Sequence, residues 1–529
     1  MSENSGKTRL TITETDNVNN PLATYIYTES TRNVVGEKAI STGRVDVVPA
    51  QQPCSSSSTA TAAGSWVRSL GRDLAGVFLP AGYPHSVSED YLEYQIYDSI
   101  QAFASSIAGL LSSRAVLQGV GVGDSSATPT AALLLQIAQE TSARLATILF
   151  AHRLGTALEP ECKRFRFAAD IFNDVAMVLD CLSPAVPVRM MLRGMVVSAA
   201  GVLRALCGVA AGGSKASLSA HFARAGNIGE LNAKDSSQET IISLLGMLTG
   251  SLVITHITSP TATWTCLLIL LVVHLTANYR AVRAVQMRTL NRQRANIVFS
   301  SVFEAVMTAN PCTTTTIETA PTPAAVACQE RIFEWDGVLR WYPPQEMRGK
   351  VVGYCRIGVS VRDFLSSLLD SQYDGNNDNR LSILPILTDL FSNEPYILYL
   401  HPHPRRRTKQ GRLYNAVILL KQTAATSSSQ DILKSWAHAL LAVKMLQSMM
   451  MMMMMMPEQD RESNCSDMIL EALRSALEFL NGPASKEDGA DGRRFSVLCD
   501  ALRRAGWDLD TAALETRGGH RRVHVSSTS

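Results

Sequence analysis

Residues 240–279 run for forty positions without one Asp, Glu, Lys or Arg. A stretch that long and that apolar belongs in a lipid bilayer or deep inside a large helical bundle. As one helix it would reach about 60 Å at about 1.5 Å per residue, roughly twice the hydrocarbon core of a membrane. The segment THITSPTAT, with Pro260, offers a break near the middle. Two helices result, 241–257 and 262–279, each near the short end of the ~17–25 residues that span a bilayer. The reading is a membrane helical hairpin over 241–279, and a buried helical pair in a soluble core is the alternative.

The flanking charges fit the hairpin. Its turn carries none, and Arg280, Arg283, Arg288, Arg292 and Arg294 follow with no acid until Glu304. Lys215, Arg224 and Lys234 precede it, so the positive-inside rule puts both ends on the cytosolic, stromal or matrix side. The same arginines could hold anionic lipid headgroups. Charged residues make up only 18% of the chain, below the ~25% of an average soluble domain. A net charge of +2 argues against a whole-chain nucleic-acid binder. The ten cysteines are scattered with no C-x-x-C, which predicts reduced intracellular thiols and no zinc. The first twenty residues lack an apolar h-region, so no secretory signal is expected.

Along the chain, residues 1–63 read as a polar, disordered tail and 64–305 as a helical core. Residues 306–328 read as a Thr/Pro-rich linker. Residues 329–529 read as a smaller α/β domain, with strands YILYLHP and RLYNAVILL around a basic loop, Arg405 to Arg412. The eight-methionine run at 449–456 opens a low-complexity insertion extending to about 495. The expected fold class is mainly α: a helical N-terminal core with a membrane hairpin, plus a smaller α/β C-terminal domain.

Few residues combine into recognisable chemistry. GVGVGD (119–124) lacks the G-x-G-x-x-G spacing and follows a helix, so it reads as a helix-breaking turn. Asp170 and Asp174, at i,i+4 beside Asn173, could face a divalent ion or pair with Lys163, Arg164 and Arg166. His221, Lys234, Asp235, Gln238 and Glu239 could move protons. Asp235 and Ser236 before Glu239 also have the spacing of a capping box, which would start a helix at the apolar run. No G-x-S-x-G or H-E-x-x-H is present, and no catalytic constellation is complete.

Several ordered blocks carry a resemblance. SVSEDYLEYQIYDSIQAFASSI, AVLQGVGVGDSSATPTAA, RFAADIFNDVAMVLD, SAHFARAGNIGELNAKDSSQET and ANYRAVRAVQMRTLNRQR are similar to the root UVB sensitive protein family over about 78–298. The likeness continues weakly at YNAVILLKQTAATSSSQDILKSWAHALL and GWDLD. It implies an intracellular, membrane-associated protein, and in plants the family is tied to ultraviolet-B responses, seedling development, auxin transport and vitamin B6 homeostasis. It brings no catalytic residue. The positions matching its polar signature are Glu93, Asp98, Gln101, Asn173, Asp174, Lys234, Asp235, Gln238, Glu239, Asn278, Arg280 and Asn291, a candidate functional surface. The expectation is a non-enzymatic scaffold or transport and homeostasis factor on an intracellular membrane. Its partners would be membrane lipid and a protein partner or family paralogue, with no nucleic acid, metal or cofactor. Two alternatives stay open. One is a binder or enzyme of a vitamin B6 vitamer, with Lys234 forming a Schiff base to pyridoxal phosphate. The other is a soluble helical adaptor.

Overall fold

The uncharged run breaks where Pro260 stands, in a computed structural model of the chain. The structure describes residues 7–15, 21–32, 40–49, 78–120, 129–186, 190–224, 226–308, 320–343, 348–369, 383–408, 411–422, 429–455, 465–483, 493–514 and 521–524. The N-terminal half is built from α1 (Tyr91–Val120), α2 (Pro129–Leu154), α3 (Cys162–Leu182), α4 (Met190–Phe222), α5 (Ile228–His256) and α6 (Pro260–Ala284). Ser259 caps α6 by accepting from the Ala262 amide at 3.2 Å, and Pro260 takes the first turn, where its missing N–H costs nothing.

α5 and α6 follow one another around the expected break, but neither is the other's main packing partner. Each packs along α1 instead, and α3 adds to α1 and α6 and in turn carries α4, against which α2 lies. Small residues explain this. A Cβ placed on Gly246 would stand 2.6 Å from Ser106 Cβ and 3.0 Å from the Phe103 carbonyl; on Gly250 it would meet Leu110 Cδ1 at 2.7 Å. The two glycines, four apart, form a groove on α5 that admits α1. Gly246→Val is expected to push the helices apart and cost about 1–3 kcal/mol. A lowered unfolding temperature of the detergent-solubilised protein checks it; an unchanged midpoint contradicts the packing.

The outward faces are apolar and bare: Leu145, Ile148 and Leu149 on α2, Leu244, Leu248 and Leu252 on α5, Leu268, Ile269 and Val272 on α6. Among the described residues, five helices are long and apolar enough to cross a membrane: α1, α4, α5, α6 and a helix at Ser429–Met455.

The C-terminal unit begins with α7 (Arg292–Thr308) and α8 (Pro323–Gln329). It continues through β4 (Val338–Trp341), β5 (Lys350–Ile357), α9 (Val361–Leu369), α10 (Ile383–Leu390), β6 (Tyr396–Thr408) and β7 (Gly411–Lys421). It ends with α11 (Ser429–Met455), α12 (Cys465–Asn481), α13 (Arg494–Arg504) and β8 (Arg522–Val523). Its sheet has the order β4-β5-β7-β6, antiparallel except for the parallel pair β5–β7, with β8 parallel to β7. Trp436, Leu440 and Val443 of α11 pack on the sheet with Phe299 and Phe303 of α7 in one core. The apolar length of α11 is thus used inside the unit.

Several expectations change here. The tail contains an antiparallel meander, β1 (Lys7–Thr15), β2 (Pro21–Arg32) and β3 (Ile40–Pro49), which follows its β-branched and aromatic runs such as Tyr25-Ile26-Tyr27. α7 lies at the end of the expected 64–305 core yet packs with the second unit, because Ile297, Phe299 and Phe303 face its core. The linker's described ends belong to α7 and α8. The methionine run extends α11 to Met455; Met449, Met450 and Met453 pack against the core and Met451 and Met452 face outward. Arg405, Arg406 and Arg407 lie within β6, not in a loop, and Lys409 falls outside the described residues. Residues 121–128, with most of GVGVGD, also fall outside them.

Candidate functional site: a buried ionisable network

α3 is amphipathic, and part of its inward face is charged. Arg166, Asp170 and Asp174 recur at four-residue steps and stack on one side of the helix. α6 opposes them with His274 and Asn278, also four apart, and α1 adds Tyr94, Asp98 and Gln101. Asp170, Asp174, His274 and Asn278 are all at most 5% exposed.

The contacts form a chain. Arg166 donates to Asp98 Oδ1 at 2.6 Å and to the Tyr94 hydroxyl at 3.2 Å, and lies 3.5 Å from Gln101 Oε1. Its other nitrogen is 3.5 Å from Asp170 Oδ1. The Asn278 amide donates to Asp170 Oδ2. His274 then bridges the carboxylates, with Nε2 3.6 Å from Asp170 Oδ2 and Nδ1 2.7 Å from Asp174 Oδ1. Neither Asp174 oxygen, nor His274 Nδ1, nor Asn278 Oδ1 completes a hydrogen bond among the described residues, so His274 and Asp174 meet as a close ion pair. Farther along α3, Asp180 is fully buried; it accepts from Ser112 at 2.9 Å and pairs with Arg204 of α4. An imidazole between two carboxylates can take up or give up a proton beside either, and ionisable groups this deeply buried are costly unless they are paired. Of the expected pairings with Lys163, Arg164 and Arg166, Asp170 makes the one with Arg166, while Asp174 faces His274 of α6, Lys163 goes to Glu330 and Arg164 to the Glu334 carbonyl. Among the described residues no three His, Cys, Asp or Glu side chains converge as metal ligands.

A second polar cluster lies at one end of the bundle. Gln95 donates to Asp235 at 2.5 Å and to Gln238 at 2.7 Å, and Gln238 donates to the Phe78 carbonyl at 2.6 Å. Lys215 of α4, not Lys234, pairs with Asp235 at 2.6 Å and Glu239 at 3.0 Å. Nearby, Asp90 takes hydrogen bonds from Ser88, His221 and the Gln286 amide. Burial alone would raise its carboxyl, but His221 and the other donors hold it at about 2. The capping-box reading of Asp235 to Glu239 is corrected: α5 already starts at Ile228, so these residues sit two to three turns inside it. Nothing breaks the helix after Gly229, and the polar side chains find partners on α1 and α4.

A third cluster joins the two halves. Glu330 sits between Lys163 at 2.5 Å and Arg294 at 2.7 Å, all three side chains at most 8% exposed. Asn291 accepts from the Arg294 amide at 2.8 Å, capping α7, and donates to Pro160 O and Glu161 at 3.3 Å. Arg283 donates to the carbonyls of Glu330 and Cys328. Much of the basic run is therefore committed internally, and Arg280 and Arg288 are the members that face outward.

Of the matched positions, Asp98, Gln101, Asn173, Asp174 and Asn278 come together around α3, Asn173 through Ser105 at 3.4 Å. Asp235, Gln238 and Glu239 form the second cluster, and Asn291 belongs to the third. Glu93 and Arg280 are exposed and join none of the three in the described contacts, and Lys234 is half-buried on α5. Arg166, Asp170, His274 and Lys215 belong to these clusters without being among the matched positions. The signal was His274 four residues before Asn278 in an otherwise uncharged run, matching the four-residue spacing from Arg166 to Asp174.

Residues 65–305 match the sequence model of a family described as "Vitamin B6 photo-protection and homoeostasis domain". RUS family member 1 of Dictyostelium discoideum is 43% identical over 230 residues, 43% of this chain and 43% of that protein. Protein root UVB sensitive 3 of Arabidopsis thaliana is 30% identical over 383 residues, 71% of this chain and 76% of that protein. Protein root UVB sensitive 2, chloroplastic, from the same plant is 28% identical over 236 residues, 44% of this chain and 53% of that protein. The match thus spans less than half of the Dictyostelium protein. No solved structure matches the chain.

Proposed function

This chain belongs to the root UVB sensitive protein family, and on that footing we propose that it is a membrane-embedded, non-enzymatic homoeostasis factor of an intracellular membrane. Its working part is the network Asp98–Arg166–Asp170–His274–Asp174. One observation carries the reading: five ionisable side chains are enclosed by α1, α3 and α6 in a bundle whose outer faces are bare apolar side chains. Such faces suit lipid, and charge held inside them marks a path or binding place for a polar solute or proton. The family description names vitamin B6 homoeostasis, so the proposed role is to keep vitamer levels by moving or retaining a small polar solute.

The test uses a host cell that lacks its own family member and has altered vitamer levels. The wild-type chain is expected to restore vitamin B6 vitamers, measured by chromatography. Asp170→Asn and His274→Ala, at equal membrane abundance, are expected to restore only a small part of that change, because each removes a member of the buried network. Restoration equal to wild type by both variants would sink the assignment of the network.

A further inference from the structure

A cleft of about 950 Å³ opens where the start of α3 and the end of α2 face the segment before β4. His152, Arg153 and Arg164 line one side, and Arg292, Glu334, Trp335 and Asp336 the other. The acids on the second side are already neutralised. Glu334 holds Arg340 through Nε at 2.9 Å and Nη2 at 3.1 Å, and Asp336 pairs with Arg292. Arg153 is exposed, and no carboxylate among the described residues pairs with it. Arg164 spends one nitrogen on the Glu334 carbonyl at 3.4 Å and stacks toward the Phe165 ring at 5.8 Å. Trp335 is 82% exposed at the mouth, unusual for a side chain so costly to leave in water.

The remaining acid is Glu161, in the cleft wall. It keeps some solvent contact, yet the atoms packed around it push its carboxyl up to about 7, with Arg294 opposing. Near neutral pH it is therefore protonated in part and can donate a hydrogen bond to an anion. The cleft then offers two guanidinium groups, an imidazole and a hydroxyl donor beside an uncovered indole.

We propose that this cleft binds a small aromatic phosphate, the phosphoryl group held by Arg153 and Arg164 and the ring laid on Trp335. A dianion matches the surplus of cations, and guanidinium groups favour phosphate oxygens in paired contact. A flat ring is the partner that covers an exposed indole. The inference rests on the cleft alone and does not need the helices to cross a membrane.

The test is calorimetric titration of the full-length protein in detergent with phenyl phosphate, inorganic phosphate and phenol. Phenyl phosphate is expected to bind saturably and about tenfold more tightly than either fragment. Arg153→Gln is expected to weaken it about tenfold and Trp335→Ala several-fold, as loss of a charged hydrogen bond and of a stacked ring would. Arg153→Lys, which keeps the charge without the fork, is expected to fall between. Both residues are exposed, so unfolding midpoints should stay at the wild-type value. No saturable binding of phenyl phosphate, or equal binding by Arg153→Gln and Trp335→Ala, overturns the proposal.

Discussion

Glu330→Gln is expected to destabilise the chain by about 3–5 kcal/mol. The substitution removes the only carboxylate that the described ion pairs place between Lys163 and Arg294, leaving two cations buried against each other at the junction of the two halves. The penalty comes from uncompensated charge more than from the lost bonds. Replacing all three together by Met, Leu and Met should therefore recover most of the loss. The pH dependence has a definite sign. Burial would raise the Glu330 carboxyl, but Lys163 and Arg294 outweigh it and hold it below 4.5. A depressed carboxyl contributes stability that is present above its unfolded value and fades as pH falls through the folded one. The wild type should lose this contribution below about pH 4.5, and Glu330→Gln should not. Thermal unfolding at several pH values measures both effects; parallel wild-type and variant curves would contradict the assignment.

Arg166→Met should cost a comparable amount, about 3–5 kcal/mol, because it strands Asp98 and Asp170 inside the helical half. Its loss should be partly relieved by Asp98→Asn in the same chain, since the second change removes one stranded charge. A double-mutant cycle on unfolding midpoints reads the coupling. Strict additivity of the two changes would show that Arg166 and Asp98 do not share a network.

Local features of this fold were legible in the sequence. Pro260 and Ser259 mark a helix stop and start by backbone chemistry alone, and α6 begins there. The four-residue spacing of Asp170 and Asp174 put them on one helix face, and they share it. What was not legible depends on distant partners. Nothing near α5 says that Gly246 and Gly250 receive α1 in place of α6. Asp235 to Glu239 read as a cap because polar residues inside a helix need partners, and those partners, Gln95 and Lys215, lie far away in sequence. The tail read as disordered by its polarity, while strand pairing uses backbone groups and tolerates threonine-rich runs. In the site, nothing in the apolar run around His274 itself names the two carboxylates that α3 places beside it.

Under the proposed function, lipid surrounds the bundle that encloses the network. Alkaline carbonate extraction of membranes from cells expressing the full chain tests it most directly. The account predicts that the protein stays in the membrane pellet and leaves it only with detergent, because the bare faces of α2, α5 and α6 remain in hydrocarbon. Release by carbonate as a monodisperse, detergent-free protein would contradict it and leave the soluble helical adaptor in its place.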